Sequence, residues 1–440
     1  MARWTSAVSL ALVATALSAC NDDGGGTEPQ PPVDETPAAL GLGLYGLPAP
    51  VAAGLTSAVE TVNADTETRQ VTVTGDGSAS LREAVAAGEP LPDLFFASSE
   101  DLAWLDDADL LEPVDSYLQA RELDFGDGFS FDGVRAFTVN DRLLCMPYAI
   151  DPLVVYYNPA LVDFEAMAAQ GLDTPNGVRW TLEEFEAAAA FASDPVAGTK
   201  GVHVAPTLDQ LSPFVLSGGG QVFEDAPEPT SLALSQEGTV EALVPILSVL
   251  RQAAVTLTPE ELAQADPLEW FTGGRLGMMI GPRSLVPQLR AVEGLQFEVM
   301  MTPEVGERAT VGTADGICVS AGSENVEAAA DTIVDLVSAD AMTPVAETGY
   351  FVPSNVEVAE SDAYLQPEAM PLNSSVFFDA LRYTTFLPPV PDRAALDAAV
   401  EPYLEDLLNL AILNPDTIEA ITGQIDEESQ LVLGGTPAEE

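Results

Sequence analysis

Few side chains in this chain are of the types that make and break bonds, and none is spaced for it. His203 is the only histidine. It leaves one candidate base for a Ser-His-Asp arrangement, with no serine elbow motif nearby, and speaks against a histidine-rich metal site. A glycosidase needs two carboxyls at a set separation. With 70 Asp and Glu residues chance neighbours abound, and no fixed spacing marks a pair. Tyr156-Tyr157 could offer two phenolates to a metal, but the apolar run around them makes core packing the better reading. Cys145 and Cys318 read as a bonded pair or as two small buried apolar residues. Carboxylates, guanidinium groups and aromatic rings are present to make polar and stacking contacts. These residues alone predict no catalysis, metal or cofactor.

Cys20 carries a different chemistry. Arg3 precedes an apolar stretch over 7–17, and Leu17-Ser18-Ala19-Cys20 closes it. A charged tip, a short apolar region and small residues before a cleavage point make an export signal, too short to serve as a mature membrane helix. The cysteine at that point resembles the lipobox of bacterial lipoproteins. The resemblance implies a thioether-linked diacylglycerol on Cys20, cleavage before it, and a protein tethered outside the cytoplasm. Two acyl chains hold stably, since each buried methylene contributes roughly 0.8 kcal/mol. Residues 1–19 are then the signal peptide, and 20–37, rich in Asp, Gly, Glu and Pro, a flexible tether.

These features need a large folded body to serve. About 400 residues follow the tether, more than one core usually supports, so two lobes are expected. Hydrophobic residues make up 47% of the chain, enough for a sizeable core, and no later stretch is long and apolar enough to span a bilayer. Against the 70 acids stand 15 basic residues, Lys200 being the only lysine. So acidic a surface repels nucleic acid and anionic lipid; the membrane is reached through the anchor alone. The acids are dispersed and not gathered in blocks, as on a solvated coat, and a salty habitat would suit them. An extracytoplasmic address permits a disulfide.

Short apolar strands alternate with amphipathic helices from residue 38 onward. Strands are expected over 39–45, 69–74 and 93–97, with helices over 49–62, 80–87, 102–108 and 113–121 between and after them. That alternation predicts βαβ units and a parallel sheet. Strands over 142–146 and 153–157 flank Pro147-Tyr148-Ala149-Ile150-Asp151-Pro152. A helix begins at Thr181, with Glu183 and Glu184 opposing the positive end of its dipole. Further strands are expected over 276–280, 297–301 and 316–320, and the last third is helical.

Several blocks, in order, resemble the extracellular solute-binding proteins of ABC importers, specifically the maltose-type sugar-binding class. Pro92-Asp93-Leu94-Phe95-Phe96-Ala97 is similar to the family's third strand. Met146-Pro147-Tyr148 through Tyr156-Tyr157-Asn158-Pro159 resembles its first crossing between lobes. Trp180-Thr181-Leu182-Glu183-Glu184-Phe185 is similar to a helix start. The run from Phe271 to Gly281 is similar to its F-x-x-G-x-x-A-M strand, and 312–323 to its return strand.

The resemblance implies a two-lobed α/β fold of the periplasmic-binding-protein type II kind, each lobe a sheet flanked by helices, with solute in the cleft. It implies an N-terminal lobe from 38–149 with 313–345, a C-terminal lobe from 153–310 with 350–425, and a disordered tail over 426–440. Cleft residues are expected at strand ends: Tyr45; Ser98, Ser99 and Glu100; Tyr148 and Asp151; Phe214 and Gly219; Arg283; Asp315; and Phe351, beside Tyr350. Glu100 and Asp151 occupy slots used by hydroxyl-binding acids. Arg283 stands where a stacking Trp is common, leaving Trp270 or Tyr148 to stack. In the resembled fold the strands of Cys145 and Cys318 run side by side, which implies a disulfide or close contact. The implied partners are a small solute, a sugar above all, and ABC permease subunits, with the receptor a monomer. A polyamine, an organic acid or a peptide is the alternative solute; a secreted polysaccharide hydrolase is the alternative class.

Overall fold

The computed structural model describes residues 37–123, 125–224, 229–409 and 412–434. The signal segment, nearly all of the tether, Cys20 and the last six residues lie outside the described residues.

β1 (Ala38–Gly43), β2 (Arg69–Thr74) and β3 (Leu94–Ser98) open the fold. Helices Ala49–Asp65 and Leu81–Ala86 connect them, and β1 is parallel to both neighbours, as such crossovers require. The short β4 (Leu111–Glu112) and the pair β5 (Thr138–Val139) and β6 (Arg142–Leu143) lead to β7 (Cys145–Pro152). The segment from Pro147 to Pro152, expected as a crossing between two strands, is strand throughout. Pro147 is tolerated because it stands at a bulge.

A second sheet follows from β8 (Val154–Tyr157), β9 (Lys200–His203), β10 (Leu276–Gly281) and β11 (Glu298–Met300), in the order β11-β8-β10-β9. Alternation along β8 divides its neighbours: Val155 joins a core with helices Leu182–Ala192, Leu208–Ser217 and Glu237–Leu250, while Val154 and Tyr156 face the core continuous with the first sheet. Thr181 starts the first of these helices as the sequence suggests, in a capping box with Glu184. Tyr156 is fully buried and donates its hydroxyl to the Pro282 carbonyl at 2.6 Å.

β12 (Thr310–Ser320) then runs eleven residues back into the first sheet, antiparallel to β7 and β3. With β13 (Val352–Pro353) and β14 (Thr384–Thr385) the large sheet reads β13-β7-β12-β3-β1-β2, β4 and β14 also pairing with β12. It is mixed, not parallel, because the chain leaves for the second sheet through β7 and returns through β12. The passage is stitched by Leu153 N–H to the Val311 carbonyl at 2.9 Å and by the Thr310 hydroxyl to the Leu153 carbonyl at 2.7 Å. Cys145 and Cys318, directly opposite on β7 and β12, form a disulfide with Cα atoms 4.3 Å apart.

Two expected boundaries differ. The segment after Tyr350, expected in the second lobe, first serves the first: β13 pairs with β7, and Val358, Ala359 and Tyr364 enter the first core. β13 also covers an edge of β7 that would otherwise stay open. The second lobe regains the chain with helices Arg393–Leu408 and Pro415–Leu433, which pack on each other and on Glu237–Leu250. Residues 426–433, expected in a disordered tail, complete the last helix, anchored by Asp426 accepting Leu234 N–H and Ser235 N–H, each at 2.8 Å.

Candidate functional site

Antiparallel pairing places Asp151 opposite Thr313 and Ala149 opposite Asp315. Facing residues in such a pair project from the same side, so these four side chains share one surface. Gly316, however, pairs with Pro147, so Tyr148 has no partner across the ladder: it is the extra residue of a bulge. A bulge re-aims a side chain. It lets Tyr148 stand beside Ala149 and Asp151, where strict alternation would send it to the opposite face. Gly316 makes room for this: a Cβ there would lie 2.8 Å from the Phe137 ring and 3.0 Å from the Met146 carbonyl oxygen.

Together these residues line a cavity of about 190 Å³ between the two sheets. Phe96 in the middle of β3, Tyr350 and Phe351 before β13, and the turn 46–48 after β1 close it on the first-sheet side. Ser284, in the turn Arg283–Leu285 that follows β10, closes it on the other. Leu285, the next residue, lines a second hollow of about 270 Å³ with His203 at the end of β9, Gln210 of helix Leu208–Ser217 and Met279 of β10. Burial pushes His203 down to about 4, so it faces that hollow uncharged at neutral pH.

The polar groups of the first cavity are unusual. The Tyr148 hydroxyl is buried without a hydrogen-bond partner among the described residues, its ring edge-on to Phe96 at 5.3 Å and tilted against Phe351 at 5.8 Å. Burial drives its pKa far up, so it is a neutral donor and acceptor. Burial also raises Asp151 to about 7, against backbone bonds from Arg283 and Ser284 that favour its charge. Asp315 is raised to about 7 by burial, with Asp101 and Glu100 adding repulsion. Its carboxylate has no hydrogen bond or ion pair among the described residues.

Of the residues expected in the cleft, the structure brings Tyr148, Asp151, Asp315 and Phe351 to this cavity. Tyr45 is half-buried with its ring against Gly43 and does not line the cavity. Ser98 and Ser99 serve the backbone, accepting Glu100 N–H at 3.3 Å and Ala314 N–H at 3.4 Å. Glu100 is held by Arg393 at 3.0 Å, and that guanidinium also binds Asp209 at 2.7 Å and Asp397 at 2.9 Å. Phe214 is buried in the second core, and Gly219 lies in the turn after its helix with φ of 82°. Trp270 is buried beneath the Arg275 guanidinium, 4.0 Å from its ring centre. Arg283 turns away from the cavity altogether. Its side chain is fully buried over the rings of Tyr364 and Phe377, at 4.7 and 4.9 Å, with Nε donating to the Gly349 carbonyl at 3.1 Å. The sequence reading missed Phe96, Ser284 and Thr313. Ser284 adjoins Arg283, which was named, whereas Thr313 is found only through its register with Asp151.

A cavity pinched between two sheets at the strands that cross between them is the geometry of a solute receptor, and the sequence agrees. Residues 57–371 match the family of bacterial extracellular solute-binding proteins. The chain belongs to this family. Its members are binding proteins, and they act outside the cytoplasm. Among the described residues no helix is long and apolar enough to cross a membrane.

Solved structures of extracellular solute-binding proteins share the whole fold. An ABC substrate-binding protein from Listeria monocytogenes, in complex with cycloalternan, is 20% identical with a TM-score of 0.72, covering 91% of this chain and 100% of its own. The cyclic alpha-maltosyl-1,6-maltose binding protein from Arthrobacter globiformis is 17% identical with a TM-score of 0.71, covering 90% and 99%. The GacH receptor of Streptomyces glaucescens, solved unliganded and with acarbose, is 17% identical with a TM-score of 0.67, covering 89% and 99%. At these identities the likeness establishes the two-lobed fold. No curated protein matches the sequence.

Proposed function

We propose that this chain is a lipid-anchored receptor that captures a carbohydrate between its lobes and delivers it to an ABC permease, without turnover. The observation that carries the reading is the cavity wall: an unpartnered Tyr148 hydroxyl, two half-buried carboxyls and the aromatic faces of Phe96, Tyr350 and Phe351. Hydroxyl-rich rings with C–H faces ask for that mixture. The three solved neighbours named above, each described with a saccharide or a saccharide-like ligand, support the same class. Lobe closure would bury the guest, expel water and give the permease a shape distinct from the open form. Cys20, behind its signal segment, is the point of attachment to the membrane.

A thermal-shift screen across sugars, sugar acids, amino acids and polyamines tests the reading. A sugar present at a thousandfold over its dissociation constant adds about 4 kcal/mol, which for a chain of this size raises the melting point by about 5 °C. Stabilisation by amino acids or organic acids alone, with every saccharide silent, ends it. For the anchor, Cys20→Ala should release the protein from the membrane fraction; a variant still bound to membranes refutes lipidation at that residue.

A further inference from the structure

The charge on the cavity wall is unbalanced, and we propose that the guest supplies what is missing: an ammonium group, carried by an amino sugar and seated on Asp315. This rests on the carbohydrate reading above and narrows it to a class of sugar. The cations nearby are committed elsewhere. Arg393 holds Glu100, Asp209 and Asp397; Arg82 lies 3.5 Å from Asp101; Arg283, although beside the cavity, is turned into the core and donates to the carbonyls of Gly349 and Tyr364. Asp315 is left with no hydrogen bond or ion pair among the described residues, and the charged groups that act on it, Asp101 and Glu100, repel it.

The register gives the seat its shape. Asp315 lies opposite Ala149 and Asp151 opposite Thr313, so the two carboxyls are diagonal neighbours on one face, roughly 7–8 Å apart at their Cα atoms. A small cation fits between them. An ammonium has three donors. Asp315, the unpartnered Tyr148 oxygen and an open lone pair of Asp151 can accept them, and charge-assisted bonds are about twice as strong as neutral ones. The rings of Phe96, Tyr350 and Phe351 add faces that attract a cation and pack against a sugar ring. A neutral hydroxyl in the same place would satisfy Tyr148 but leave the Asp315 charge uncompensated. The seat is therefore built for a positive guest.

Calorimetry on the mature chain at pH 7 and 150 mM salt compares glucosamine and galactosamine with glucose, galactose and N-acetylglucosamine. Spermidine serves as a cation without a sugar ring. The expected result is at least tenfold tighter binding of the free amines, about 1.4 kcal/mol. In Asp315→Asn, checked for folding by its melting curve, that ratio falls to near one. Neutral sugars binding as well as the amines, or a preference that survives in Asp315→Asn, overturns the inference and leaves the carbohydrate reading standing. Spermidine binding with every saccharide silent overturns both, as does binding of none of the six.

Discussion

Removing the charge of Asp315 should stabilise the empty receptor, and by an amount that depends on pH. Burial raises this carboxyl from 3.8 to about 7 in the folded protein. Between those values the folded chain keeps a proton that the unfolded chain has released, so stability falls as pH rises through the window and the loss is complete above about 7. Roughly 3 units at about 1.36 kcal/mol each give about 4 kcal/mol for a fully dry site. Asp315 keeps contact with the cavity, where water raises the effective dielectric, and halving the figure gives about 2 kcal/mol. Asn at 315 is neutral at every pH and loses no hydrogen bond, since the carboxylate makes none among the described residues. Asp151, raised to a similar value partly by the Asp315 charge itself, is relieved of that repulsion in the variant, which moves the difference in the same direction. Melting curves of wild type and Asp315→Asn without ligand should therefore coincide near pH 4 and separate by about 2 to 3 °C at pH 8, the variant being higher. A variant that melts lower at pH 8, or a difference that does not change between the two pH values, would show that the carboxylate is neither unpaired nor desolvated.

The Tyr148 hydroxyl gives a second opposed pair of effects: Tyr148→Phe should raise the melting point slightly, by relieving an unsatisfied buried group worth about 1 kcal/mol. The same variant should weaken ligand binding about fivefold to tenfold in calorimetry; a fall in stability instead would mean that the hydroxyl is structural. Gly316→Ala should cost about 1–3 kcal/mol, because its Cβ meets the Phe137 ring and the Met146 carbonyl; urea denaturation that leaves the midpoint in place refutes the bulge argument. Arg393→Gln releases Glu100 on the first lobe from Asp209 on the second, and should lower stability by about 1–2 kcal/mol. It should also enlarge the ligand-free radius of gyration in small-angle scattering; an unchanged radius would mean that the arginine does not tie the lobes.

The strands and helices around the site were legible because apolar spacing and helix starts are local: β2 and the helix start at Thr181 read directly. Chain length suggested two lobes, and the family resemblance implied how they pair. What escaped depends on contacts far apart in sequence. Tyr148 and Asp151 are three residues apart, so alternation puts them on opposite faces; only the pairing of Pro147 with Gly316 discloses the bulge that unites them. Arg283 looked like a ligand because it ends a strand, but its site is set by Tyr364 and Phe377, which no local pattern links to it. Glu100 likewise has its partner, Arg393, 293 residues away.

The bond between Cys145 and Cys318 closes a ring of chain with a sequence separation of 173, and all four strands of the second sheet lie inside it. Closing so long a ring removes unfolded-state freedom worth about 5 kcal/mol in the chain-entropy account. The two strands that join the lobes are riveted at their ends remote from the second lobe, Cys145 opening β7 and Cys318 near the close of β12, so a swing of that lobe flexes the residues between the bulge and β8. A protease that nicks the chain once between Cys145 and Cys318 would leave one covalent molecule until a reductant lets the halves separate.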